Sequence, residues 1–123
     1  MIKTEEVIVD LGEERSYPIY VGSDILSTIG TKLKALGLKG RVLILTNAQI
    51  DRLYGGKIIT SLEENGFQLR VLQIPAGEEH KNIDTVAKIY NTLLDSSFDR
   101  HDTVLALGGG VVGDLAGFVA ATY

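Results

Sequence analysis

Two short stretches constrain this chain most. Val42-Leu43-Ile44-Leu45 and Val104-Leu105-Ala106-Leu107 each carry four apolar residues in a row with no polar face. A strand with one wet face alternates, whereas an unbroken apolar run suits a parallel strand covered on both sides. Segments of helical period surround these runs. Ile25, Leu26, Ile29, Leu33 and Leu36 follow Ser23, which reads as an N-cap, and Gly37 ends them. Residues 48–65 read as mostly helical, with a break expected at Gly55-Gly56 and a stop at Gly66. Residues 67–74 read as a strand closed by Pro75 and Gly77. Ile83, Val86, Ile89, Tyr90, Leu93 and Leu94 then mark an amphipathic helix led by Asn82. At the start, Val7, Val9 and Leu11, then Tyr17, Ile19 and Val21, alternate on either side of Gly12 as a β-hairpin. Pro18 confines the second strand to an edge position or to its own first residues.

After the hairpin the order is α-β-α-β-α-β-α, which predicts an α/β fold with right-handed crossovers and a Rossmann-like parallel sheet. In such sheets ligands bind beyond the carboxyl ends of the strands. Three loops leave those ends: Thr46-Asn47, Pro75 to Lys81, and Gly108 to Gly113. All three are expected on one edge of the sheet.

Composition narrows the classes of function. A length of 123 residues fits one domain, and the absence of Cys excludes disulfides, thiolate metal sites and a cysteine nucleophile. A net charge of −4 argues against a general nucleic-acid binder. No apolar run approaches the roughly 20 residues that span a bilayer. The acidic start Met1-Ile2-Lys3-Thr4-Glu5-Glu6 is unlike a signal peptide, so a cytoplasmic chain is expected. The apolar run from Ala116 to Tyr123 carries no stop signal after Gly117, so the sequence is expected to end inside a helix, as a fragment of a longer protein would.

The strongest chemical signal is Gly108-Gly109-Gly110-Val111-Val112-Gly113-Asp114, between an apolar strand and a helix. Glycine lets a phosphate approach the backbone and permits positive φ, while free amides and the helix dipole attract the anion. A plainer reading is a tight turn whose glycines allow close packing. Asp114 repels a diphosphate and is expected to point elsewhere, towards a sugar hydroxyl, a ring or a substrate. The motif also sits late in the chain, with no acidic residue about 20 positions on, unlike the usual dehydrogenase fingerprint. The loop Pro75-Ala76-Gly77-Glu78-Glu79-His80-Lys81 offers carboxylates for ribose hydroxyls and an ammonium for phosphate, or is simply solvated. Asn47 can bond a ribose or adenine edge, or cap the next helix. His80 and His101 have no partners at ligand spacing, so no metal site is expected here, and His101 reads as a solvated loop residue.

The stretch from Leu107 to Ala120, Leu-Gly-Gly-Gly-Val-Val-Gly-Asp-Leu-Ala-Gly-Phe-Val-Ala, closely resembles the signature of the 3-dehydroquinate synthase family. The Pro75–Lys81 segment and Thr46-Asn47 resemble further segments of it, in the same order. The resemblance runs along the whole chain and corresponds to the N-terminal part of the family's length. It implies NAD binding, a divalent metal (zinc or cobalt), and conversion of the sugar phosphate 3-deoxy-D-arabino-heptulosonate 7-phosphate to 3-dehydroquinate and phosphate, a step of the shikimate pathway. By resemblance, residues 1–123 form an incomplete N-terminal NAD-binding domain. Gly109, Gly110, Val111, Val112 and Gly113 would hold the pyrophosphate, with Asp114 near the nicotinamide as the catalytic position. Ala76, Gly77, Glu78, Glu79, His80 and Lys81 would line the cofactor, with Glu78 and Lys81 towards ribose and phosphate. Asn47 would lie by the adenosine ribose. Some members place Asp two positions before that Asn, where this chain has Leu45. The metal ligands, one Glu and two His, would lie beyond this chain in a helical domain, as would the substrate-gripping Lys and Arg residues. The chain alone is therefore expected to be inactive, and the parent is expected to be a homodimer acting on a small molecule, with no nucleic-acid or membrane partner. The same architecture also suits a metal-dependent polyol or glycerol-phosphate dehydrogenase, or another sugar-phosphate cyclase. A flavodoxin-like or receiver-like binding module is the non-enzymatic alternative, and it would need a capped final helix.

Overall fold

The computed structural model describes residues 3–123. Strands β1 (Thr4–Val9) and β2 (Tyr17–Gly22) pair antiparallel, with Val7 opposite Ile19 and Ile8 opposite Pro18. This hairpin is a two-stranded sheet of its own, so Pro18 sits on an edge strand as expected. Because the hairpin does not join the larger sheet, its apolar residues stay largely open, with Val7 and Val21 more than half exposed.

The larger sheet contains β3 (Arg41–Thr46), β4 (Gln68–Gln73) and β5 (Thr103–Ala106), all parallel, in the order β4-β3-β5. Central β3 explains its own sequence. Leu43 and Leu45 face one way, into a core with Val86, Ile89, Leu93, Val112, Leu115 and Val119. Val42 and Ile44 face the other way, against Leu33, Ile58, Leu62 and Phe67. All four are essentially inaccessible, and each such burial contributes about 1.5–3 kcal/mol before chain entropy is charged against it.

Helix α1 (Ile29–Ala35) and the helical segment from α2 (Ala48–Ile50) to α3 (Gly56–Glu64) lie on the Val42/Ile44 face. Helices α4 (Ile83–Asp95) and α5 (Gly110–Thr122) cover the other face. The crossover through α3 therefore runs outward from β3 to β4, and α4 carries the chain back across β3 to β5. The direction reverses between β3 and β5, and a crevice at such a point is where open α/β sheets bind ligands.

Three helices end by the same device. Leu38 N–H bonds the Leu33 carbonyl, Phe67 the Leu62 carbonyl and Phe98 the Leu93 carbonyl, at 3.2, 3.1 and 2.9 Å. Each closes a Schellman turn around a residue of positive φ, namely Gly37, Gly66 and Ser97. The apolar residue after each turn packs back into the core.

Several local expectations change. Ser23 caps nothing: Asp24 adopts φ 56°, and helical structure begins only with a 3₁₀ turn at Leu26–Thr28. Gly55-Gly56 do not break their helix. The chain passes through a π-helical turn, Asp51–Gly55, and both glycines keep right-handed helical angles. The side chain of Asp51 occupies the space a Cβ on Gly55 would need, 1.9 Å from its Oδ1. In α4, Val86, Ile89 and Leu93 are buried, but Ile83 and Leu94 remain 67% and 63% exposed, so the covered face is narrower than the apolar one.

Candidate functional site

The parallel register sets the carboxyl ends of the three strands side by side. Ile74 N–H bonds the Thr46 carbonyl at 2.8 Å, and Leu107 N–H bonds the Leu45 carbonyl at 2.9 Å. Asn47, the Pro75–Lys81 loop and the Gly108–Gly113 turn thus leave from adjacent points on one edge, as the alternation of elements predicts.

The glycine turn is built in two parts. Gly108 takes φ 154°, and a Cβ there would meet Val112 Cγ2 at 3.0 Å, so this position needs glycine for the fold itself. Gly109 is the N-cap of α5 and supplies no side-chain cap. The first intrahelical bond runs from Gly113 N–H to the Gly109 carbonyl at 3.0 Å, which leaves the amides of Gly110, Val111 and Val112 ahead of it. A Cβ added at Gly109, Gly110 or Gly113 would meet nothing within 4 Å. Close packing inside this chain therefore does not call for glycine at these three positions. The bare backbone faces open space, where an anion can approach the amides and the positive end of the helix dipole. The side chain of Val112 is buried in the core and Val111 packs against it, so both can serve a ligand only through their amides.

In the second loop, Gly77 has φ 117° and precedes a 3₁₀ turn, Glu78–His80, with Ala76 exposed before it. Lys81 Nζ lies 3.1 Å from Glu78 Oε2 and 3.0 Å from Asp114 Oδ2. The hydrogen bond to Asp114, then that to Glu78, raises the Lys81 pKa above its ordinary value. The structure thus joins the second loop to α5 and turns the Asp114 carboxylate towards an ammonium. The Glu79 carboxylate stands 3.8 Å from His80 Nε2, within the loop. Asn47 is brought to the same edge but is occupied as a cap: its Oδ1 accepts from Ile50 N–H at 3.0 Å. Asn82 likewise caps α4 through Thr85 N–H at 3.0 Å. Leu45 is fully buried and offers a ligand nothing.

A cavity of about 380 Å³ beside this cluster went unread in the sequence. Ile83, Val86, Leu115 and Phe118 form its apolar wall, and Lys81 and Asp114 its polar rim. The available signal was Phe118, one helical turn after Asp114 on the same face of α5. Among the described residues no group of three or more His, Cys, Asp or Glu side chains is placed to hold a metal ion. None of their helices is long and apolar enough to cross a membrane.

Comparison with known proteins fits this geometry. The family described as 3-dehydroquinate synthase N-terminal matches residues 71–123. A 3-dehydroquinate synthase of Desulforamulus reducens is 51% identical over 115 residues, covering 94% of this chain and 32% of that protein. A 2-epi-5-epi-valiolone synthase from Streptomyces hygroscopicus subsp. jinggangensis, solved with NAD⁺ and Zn²⁺, superimposes with a TM-score of 0.73 at 30% identity, over 94% of this chain and 31% of its own. A 2-deoxy-scyllo-inosose synthase solved with carbaglucose-6-phosphate, NAD⁺ and Co²⁺ shares the fold, with a TM-score of 0.77 at 18% identity over 98% of this chain and 32% of its own. The chain spans about a third of the length of the curated relatives it matches. With its glycine turn and the loop facing it inside the matched segment, the chain is similar to the N-terminal part of the 3-dehydroquinate synthases.

Proposed function

We propose that this chain is the nucleotide-binding part of a 3-dehydroquinate synthase, which converts 3-deoxy-D-arabino-heptulosonate 7-phosphate to 3-dehydroquinate and phosphate. The observation that carries the reading is the open backbone at Gly109, Gly110 and Gly113 over the unbonded amides that begin α5, at the carboxyl edge of the sheet. That space fits the diphosphate of NAD, because a Cβ at any of the three would project into it. When bound, NAD supplies a transient hydride acceptor, and a divalent metal held by residues beyond this chain would complete the site.

The chain's own residues bind and orient. The amides of Gly110, Val111 and Val112 hold the diphosphate, and Asp114 stands one turn into α5 beside the Ile83–Phe118 cavity. Glu78 and Lys81 reach from the facing loop towards the same place, and Gly77 shapes that loop. Ala76, Glu79 and His80 form its solvent side, and Asn47 lies at the adenosine end through its side-chain amide. The apolar cavity wall keeps water from one side of any ring seated there. Because residues 1–123 span a third of their relatives, they are expected to bind the nucleotide without releasing phosphate from substrate. Calorimetric titration of the chain with NAD tests the reading: saturable binding, weakened at least tenfold in Gly110→Ala, supports it. Absence of binding, or equal binding by the variant, refutes it.

A further inference from the structure

The cluster formed by Lys81, Glu78 and Asp114 contains two carboxylates and one ammonium. Asp114 lies four residues beyond Gly110, so its carboxylate rides on the helix whose first amides are offered to an anion. Left alone, that negative charge opposes a diphosphate at the helix start. Lys81 Nζ, 3.0 Å from Asp114 Oδ2, answers it from a different loop, 33 residues earlier in the sequence. Glu78 Oε2, 3.1 Å from the same Nζ, draws the ammonium from the other side and limits where it can lie. The side chains are solvent-accessible, at 38% for Lys81 and 64% for Asp114, so the pair is held by its hydrogen bond and by the placement of the loop against α5 rather than by burial.

We propose that Lys81 acts on anion binding as a positioning residue through Asp114, cancelling and turning aside the carboxylate on α5 so that the amides of Gly110–Val112 accept a diphosphate. The inference rests on the nucleotide-binding reading above and deepens it. A lysine that worked only by touching the ligand would be worth the same whether or not position 114 carried a charge. A lysine that works through Asp114 loses most of its value once that charge is gone.

The test is a double-mutant cycle on the chain with Lys81→Met, Asp114→Asn and the two combined, titrated calorimetrically with NAD and separately with inorganic pyrophosphate. Melting curves establish that these surface variants remain folded. Lys81→Met is expected to weaken binding about tenfold in the wild-type background and by no more than about threefold in the Asp114→Asn background. A loss that is equal in the two backgrounds, or larger without the Asp114 charge, overturns the proposal. If the wild-type chain binds pyrophosphate but not NAD, the dinucleotide reading fails while the pyrophosphate cycle still decides the role of Lys81. Binding of neither ligand refutes both.

Discussion

The two explanations for a glycine-rich turn make opposite predictions about stability, and Gly113→Ala separates them. Gly113 lies inside α5, on the side away from Val112, Leu115, Ala116 and Val119, which are buried. A Cβ there meets nothing within 4 Å. Alanine is favoured over glycine by about 0.8–1.0 kcal/mol in a helix interior, and near the first turn about half of that is expected to remain. The variant is therefore expected to be more stable by about 0.4–0.5 kcal/mol, a rise in melting temperature of about 1–3 °C for a chain of this size. The same methyl group projects from the backbone beside the offered amides, so NAD affinity is expected to fall at least tenfold, about 1.4 kcal/mol. Gly108→Ala supplies the contrast. Its φ of 154° and the 3.0 Å approach to Val112 Cγ2 make it a position where the fold needs glycine, and that variant is expected to melt lower than wild type. Thermal melts and calorimetry on both variants read the two quantities separately. A Gly113→Ala chain that melts lower than wild type would show that the glycine serves packing. One that melts higher with unchanged NAD affinity would show that the open backbone is not where the nucleotide lies.

At Gly30 the backbones of two helices meet closely: an added Cβ would stand 2.1 Å from the Ser61 carbonyl oxygen, and Gly30 N–H already bonds Ser61 Oγ at 2.9 Å. Gly30→Ala must push α1 away from α3 and is expected to cost about 2–3 kcal/mol, read from the urea midpoint; a change under about 0.5 kcal/mol would refute that packing. Ser97 holds the left-handed turn after α4 with φ 60°, where Gly37 and Gly66 serve α1 and α3. Ser97→Gly is expected to stabilise the chain by about 1 kcal/mol in the same assay, and a loss would contradict the strain assigned there. For Lys81 the folded pKa lies above the ordinary 10.5, so its contribution to stability is complete below that value and disappears as pH rises through the higher folded one. The melting difference between wild type and Lys81→Met should hold steady up to about pH 10.5 and shrink above it; a difference that shrinks well below that pH would refute the sign.

What the sequence discloses follows from how local each cause is. Strand β3 is legible because covering both faces requires an unbroken apolar run, and Val42 to Leu45 can hardly serve another purpose in a chain of this composition. The caps at Asn47 and Asn82 are equally local, since each side chain bonds an amide three residues on. Ser23 and Gly55-Gly56 mislead because their outcome is decided from outside. Helical structure waits until Leu26 and Ile29 can pack against the Leu33–Leu62 core, and the same core holds Ile58 and Leu62 in one helix straight through two glycines. At the site the limit is sharper. A glycine that a neighbour requires and a glycine with open space around it are the same letter, and only the structure separates them: the space is filled at Gly108 and Gly30 and empty at Gly109, Gly110 and Gly113. The pairing of Lys81 with Asp114 is likewise invisible before the β4-β3-β5 order is known, because only the return crossover through α4 brings a loop after one edge strand against a helix after the other. The sequence thus displays the charged groups, and the topology determines which of them meet.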